Sequence, residues 1–189
     1  MITFDTIPVP PSLSRYVASI WTVSASAGDR AVERVYGTGE PSLTIHCAGT
    51  FVAGDRQPRY ALCGQSRGWV DVAVTGETDT LSVSFTPVGL RAFVGVPAAE
   101  LTEQVVDAAL VDRRLRNAVA RIGSAPPDSR RSALLLESLA ELCRPPDDPG
   151  FVLAGHVVSA LRTAPDRPAV AGVVEEVGIG ERMLQRLFA

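Results

Sequence analysis

The chain changes character at Val96-Pro97, and that change constrains its fold more than any other feature. Nine of the eleven aromatic residues precede it, among β-branched residues and glycines, whereas Ala, Leu and charged residues dominate the remainder of the chain. In the first part apolar and polar residues alternate in short runs. Leu43, Ile45 and Cys47 oppose Thr44 and His46; Val70, Val72 and Val74 oppose Asp71 and Ala73; Leu81, Val83 and Phe85 oppose Ser82, Ser84 and Thr86. A period of two buries one face of a strand, so each run reads as a half-buried strand. Ala27-Gly28-Asp29, Gly37-Thr38-Gly39, Ala53-Gly54-Asp55 and Thr75-Gly76-Glu77 read as the turns between them. Many short antiparallel strands favour a barrel or sandwich.

After Pro97 the spacing becomes helical. Ala98 to Val105 reads as a short helix, and Val111, Leu115, Val119 and Ile122 mark a longer one ending near Gly123. A third stripe, Ala133, Leu136, Ala140 and Cys143 flanked by Leu135, Leu139 and Leu142, stops before Pro145-Pro146. Two adjacent helices with apolar stripes predict a hairpin, and their excess apolar surface predicts self-association unless the strands absorb it. Arg144-Pro-Pro-Asp-Asp-Pro-Gly150 reads as a linker, after which Asp148 as N-cap and Pro149 at N1 start a helix through Thr163. Ala164-Pro165-Asp166-Arg167-Pro168 interrupts it, and from Pro168 the chain reads as helix, tight turn at Gly178, and helix. Val170, Val173, Val174 and Val177 line the first helix, Ile179 fills the turn, and Leu184 with Leu187 or Phe188 closes the small core. Glu181, Arg182, Gln185 and Arg186 then project from the second helix, where they can reach base edges and phosphates.

Several function classes fall away on composition. A net charge of -3, with 46% hydrophobic residues, excludes a chain that coats nucleic acid by bulk charge and one too polar to fold. No apolar run is long enough for a membrane span, and the start lacks the features of a signal peptide, so a cytoplasmic protein is expected. All 18 basic residues are Arg, which points to a GC-rich, bacterial coding sequence. Cys47, Cys63 and Cys143 have no metal or disulfide spacing and read as reduced thiols. Two histidines, His46 and His156, are too few for a His-rich metal site, and no phosphate loop, nucleophile elbow or H-E-x-x-H is present. His46 reads as a hydrogen-bonded strand histidine that could point into a pocket, and His156 as a surface residue. Asp71, Glu77 and Asp79 read as a solvated edge that discourages strand pairing. No catalytic residue, metal or cofactor is expected, and the protein is not expected to be an enzyme.

In its last segment the chain resembles the AraC family of transcription regulators, through Gly178 at the turn and Leu184, Arg186 and Phe188 in the second helix. The helix from Phe151 to Thr163 looks like the one that opens that family's DNA-binding domain. The first 110 residues are similar to the sensor half of one branch, in Pro10-Pro11-Ser-Leu-Ser-Arg-Tyr-Val-Ala-Ser-Ile-Trp21, in Gly64-Gln-Ser, and in Val83-Ser-Phe-Thr-Pro-Val-Gly89 continued by Val96-Pro-Ala-Ala-Glu-Leu-Thr102. The resemblance implies an α+β protein: a cupin-like β-barrel or sandwich sensor over 1–110, a helical hairpin and linker over 111–146, and over 147–189 the first of the family's two helix-turn-helix units. It also implies a homodimer, biased by a small-molecule effector or by a partner. Gly180 stands where the family usually has a capping Ser, and Val174 where it usually has Ala.

The resemblance places Arg186 on backbone phosphate and Glu181, Arg182 and Gln185 in the major groove. With the second unit absent from these residues, and three Arg against four acids over 165–189, DNA binding by this chain alone is expected to be weak or absent. Trp21, Tyr36, His46, Trp69 and Phe85 are the candidate effector pocket, offering apolar walls with polar tips; equally, these aromatics could fill the barrel. The alternative function is a stand-alone ligand-binding or dimerisation module without DNA contact, acting through a full-length partner.

Overall fold

The computed structural model describes residues 2–26, 31–163 and 170–188. The turn expected at Ala27-Gly28-Asp29 and the break expected at 164–168 lie outside them. The chain divides into two compact units, Met1–Arg144 and Pro145–Ala189. The boundary falls at the Pro-rich segment read as a linker, and the hairpin expected as a part of its own falls within the first unit.

The first unit is built on one antiparallel sheet of eight strands. They are β1 (Ile2–Thr6), β2 (Val17–Ala25), β3 (Ala31–Tyr36), β4 (Ser42–Ala53), β5 (Asp55–Arg56), β6 (Tyr60–Cys63), β7 (Trp69–Phe85) and β8 (Val105–Asp107). The order is β1-β2-β7-β4-β6-β8, with β3 also on β7 and β5 on β4. Among the described residues no pairing joins β1 to β8. Strand β7 organises the sheet: β2 and β3 succeed one another along one of its edges, and β4 occupies the other. The sequence suggested two strands here, separated by a turn at Thr75-Gly76-Glu77. Instead the strand runs through, because Gly76 at φ 88° lets it kink while pairing resumes on both sides.

A second departure is the absence of a helix over Ala98 to Val105. A 3-10 turn, Ala98–Leu101, gives way to strand β8. Backbone bonds capture this segment: Gly64 N–H donates to Gln104 at 3.0 Å, and Glu103 N–H to Gln65 at 2.9 Å. Leu101 lies so close that any side chain at position 64 would have its Cβ 1.6 Å from the Leu101 carbonyl oxygen. The motif residues that carry the sensor resemblance therefore have structural work to do. Gln65 Nε2 donates to the carbonyls of Gly39 (3.0 Å) and Pro87 (3.3 Å), while Glu103 accepts from Arg67 N–H at 2.6 Å. Gly89 admits the Tyr16 carbonyl where a Cβ would meet it at 1.9 Å.

Three helices complete this unit: α1 (Ala108–Val111), α2 (Arg113–Gly123) and α3 (Ser129–Leu142). Asp112 caps α2 by accepting from Arg114 and Leu115 N–H, and Asp128 caps α3 through Arg130 N–H. Leu115, Val119 and Ile122 are buried, with the end of α2 against Ile45 and Tyr60. On α3 the buried face is Arg131, Leu135, Ser138, Leu139 and Leu142, whereas Ala133 and Ala140 are not part of it. The stripe is rotated from the expected one because Arg131 is drawn inward. Its Nη1 donates to Asp79 at 2.6 Å, and its Nε and Nη2 donate to the Ala125 carbonyl. Asp79 thus ties sheet to helix and is not the solvated edge residue expected, whereas the Asp71 side chain, held by both ends of the Arg34 fork (2.8 and 3.0 Å), stays solvent-exposed as expected.

The second unit contains α4 (Pro149–Thr163), α5 (Val170–Val177) and α6 (Glu181–Phe188). Asp148 Oδ1 accepts from Gly150 N–H at 2.9 Å, which is the expected cap. Phe151, Ala154, Val157 and Val158 are buried on α4, and His156 is exposed.

Candidate functional site

The sheet buries polar side chains on the face opposite its apolar core. Thr44 faces Ser82 and His46 faces Thr80 in the β4–β7 register, and all four are buried, so the expected half-solvated strands hold only in part. Buried hydroxyls must be paired. Thr44 Oγ1 and Ser82 Oγ share a 2.9 Å hydrogen bond, and no buried side-chain polar atom lacks a partner among the described residues.

Beyond His46 the register of β4 against β7 shifts twice, between His46 and Ala48 and between Ala48 and Thr50. Gly49 at φ 91° makes this possible, with the Glu77 carbonyl 2.9 Å from where its Cβ would be. The kink brings the Phe51 ring over the His46 imidazole, 3.8 Å between centroids and 20° from parallel. The Gly54 turn then returns the chain through β5, and Gln57 N–H is fixed by the Phe51 carbonyl at 2.8 Å. Between these segments lies a cleft of about 580 Å³, whose walls include His46, Phe51, Arg56, Gln57 and Arg59. That volume suits a small organic molecule.

The imidazole is held at both nitrogens. Nε2 lies 3.1 Å from Gln57 Oε1 and Nδ1 3.3 Å from Thr80 Oγ1. An amide oxygen only accepts, so Nε2 carries the proton of the neutral ring and Nδ1 accepts from the threonine hydroxyl. Burial pushes the His46 pKa below its ordinary value, and the Gln57 bond opposes that shift. Beside it, burial pushes the Cys47 thiol up, as it does Cys63 and Cys143. Thiols so shifted stay protonated and are poor nucleophiles. Among the described residues no three His, Cys, Asp or Glu side chains gather where they could hold a metal ion.

Of the five residues expected to form an effector pocket, only His46 lines this cleft. Trp21, half-buried on β2 opposite Ser82, stacks on Phe4 at 5.8 Å. Tyr36 and Trp69 face each other across β3 and β7 on the surface, 65% and 55% exposed, and the Arg34 guanidinium covers the Trp69 ring at 3.8 Å. Phe85 is fully buried against Phe93. Hydrophobicity suggested walls, but Tyr36 and Trp69 stand exposed at the surface, and Phe85 belongs to the core. Sequence reading missed Phe51, Arg56, Gln57 and Arg59. Two arginines within a four-residue stretch after a histidine strand were the available signal.

In the second unit Gly178, at φ 70°, ends α5, and Ile179 N–H bonds back to Val174 at 3.0 Å. The Gly180 carbonyl accepts from Met183 and Leu184 N–H, so Gly180 caps α6. Val173 is buried, and Val174, Val177, Leu184 and Leu187 are half-buried; the side chains of Val170 and Phe188 lie outside the described ones. Glu181, Arg182, Gln185 and Arg186 are all exposed on α6, as expected from the sequence. None of the described helices is long and apolar enough to cross a membrane.

No curated protein matches the chain. A search of solved structures returns the crystal structure of the AraC-like transcriptional activator CuxR, at 10% identity over 99% of this chain and 79% of that one. The TM-score of 0.31 is too low to carry the fold from one to the other. A family model, described as a domain of unknown function (DUF6597), matches residues 5–107, which run from within β1 to the end of β8. This match spans more than half of the chain, which therefore belongs to that family.

Proposed function

We propose that this protein is a cytoplasmic transcription regulator of the AraC kind, and that it acts by binding and not by catalysis. The sheet of the first unit is taken as a cupin-like sensor with a small-molecule site at the His46 cleft. Helices α5 and α6 are taken as a helix-turn-helix whose second helix enters the major groove. The reading includes a homodimer whose interface lies outside the buried α2–α3 stripes. One observation carries it: the sharp α5–Gly178–α6 turn leaves Glu181, Arg182, Gln185 and Arg186 together on the open face of one short helix.

Fluorescence anisotropy of the full chain with a mixed-sequence duplex, at about 50 and 200 mM salt, tests the DNA contact. Weak binding that falls steeply with salt is expected, with Arg186→Ala lowering the salt slope by about one unit. Binding that ignores both salt and Arg186→Ala would overturn it. The small net charge of 165–189 favours the second reading, a ligand-binding or dimerisation module that reaches DNA only through a full-length partner. Complete absence of binding at about 50 mM salt would favour that module.

A further inference from the structure

The charge of the cleft narrows what it can hold. Arg56 and Arg59 both line it, with the His46 imidazole and the Gln57 amide, and none of its lining residues is acidic. Two nearby carboxylates are turned elsewhere. Asp79, whose charge reaches Cys47, is paired with Arg131 at 2.6 Å. Asp55 precedes Arg56 in a two-residue strand, and successive strand residues point to opposite faces.

The two guanidinium groups differ in how they are held. Arg59 is oriented: its Nη2 donates to the Gly123 carbonyl at 3.0 Å and its head lies 5.5 Å from the Tyr60 ring. That bond uses one of five N–H donors, leaving the others for a ligand. The Arg56 guanidinium has neither a hydrogen bond nor an ion pair among the described residues, and the residue stands exposed. A concave site with two such forks and no compensating carboxylate concentrates anions, and the fork matches the geometry of a planar oxyanion. Phe51 and Pro58 supply the apolar part of the wall.

We propose that the cleft between the kinked end of β4 and the Gly54–Arg59 return binds a small organic oxyanion, with Arg56 and Arg59 on its charged group and Phe51 beside its apolar body. This rests on reading the sheet unit as the ligand-binding part, but not on α6 meeting DNA. Experiment decides whether the oxyanion is a carboxylate or a phosphate, since both satisfy the same donors.

Three probes of similar shape separate the possibilities: benzoate, phenyl phosphate and benzamide. Each is titrated into the full chain, without DNA, and read by thermal shift and calorimetry. A ligand that binds only the folded state raises the unfolding midpoint. Either anion is expected to do so at millimolar concentration while benzamide does not; the stronger of the two anions identifies the class. Arg56→Gln, at an exposed position, should keep the ligand-free unfolding midpoint and weaken binding at least about tenfold, and Arg56→Lys should restore part of it. Equal binding of benzamide would overturn the anion assignment while keeping a ligand cleft. No shift with either anion at about 20 mM, or full binding by Arg56→Gln, would overturn the proposal outright. None of these results depends on the anisotropy experiment, so each reading can fail alone.

Discussion

At the scale of single residues, His46 shows how position can matter more than type. A strand histidine opposite a threonine is unremarkable in sequence, yet the kink after it brings Phe51 onto its face and Gln57 to its edge. Burial holds its pKa below the ordinary 6.5. As pH falls below that value the unfolded chain takes up a proton that the folded chain declines, so stability present above it is lost toward the lower folded value. His46→Gln removes the titrating group. Urea unfolding at about pH 7.5, 6.5 and 5.5 should therefore show a shallower loss in the variant than in the wild type, before carboxylates begin to titrate. Parallel slopes would mean that His46 titrates alike in both states. The residue itself was legible as a possible pocket member; its partners were not, because a period-two pattern says nothing about where a strand stops being regular.

Elements were read most accurately where their ends carry chemistry. Asp148 and Pro149 fixed the start of α4, and Gly178 the turn between α5 and α6, because a cap and a left-handed residue are local requirements. Elements defined by long-range pairing were misread. Ala98 to Val105 has helical spacing, but the pairing of β8 with β6 and the bonds to the Gly64 loop outweigh a short segment's weak helix preference. The α2–α3 stripes raised a related question, since they could have served self-association. Leu135 is wholly buried, so its truncation bears on folding. Leu135→Ala should cost about 2–5 kcal/mol in urea unfolding and leave the sedimentation coefficient of the folded protein unchanged. A change in assembly with little loss of stability would return the stripe to the surface.

For the molecule as a whole, the division into two units reflects which residues bury which. The first is dominated by pairings between distant strands, and the second by three helices close in sequence. The Pro-rich boundary was legible because prolines and acids neither continue a helix nor have much to bury. The assignment of α2 and α3 to the sheet unit was not, because an amphipathic stripe does not name its partner. If the division is energetic as well as geometric, residues 1 to 144 alone should keep a cooperative thermal transition, with the near-ultraviolet signal of Trp21 and Trp69 intact. Calorimetry and circular dichroism would check both. A gradual, non-cooperative melt would show that the second unit is needed for the first to fold.

The long strand β7 has a consequence for how the chain is made. It comes after β2, β3 and β4 in sequence yet pairs with all three. During synthesis β2 has only β1 beside it, β4 awaits β6, and β3 has no described partner until Trp69 and the residues after it leave the ribosome. Their edges are open templates for intermolecular pairing throughout that interval. The sheet is therefore assembled late and from non-local contacts, which close more slowly than contacts near in sequence such as those of the three helices that emerge last. A chaperone that shields nascent strands would act on this protein before residue 85 leaves the ribosome, and one that arrives later would find β2, β3 and β4 already able to pair with β7.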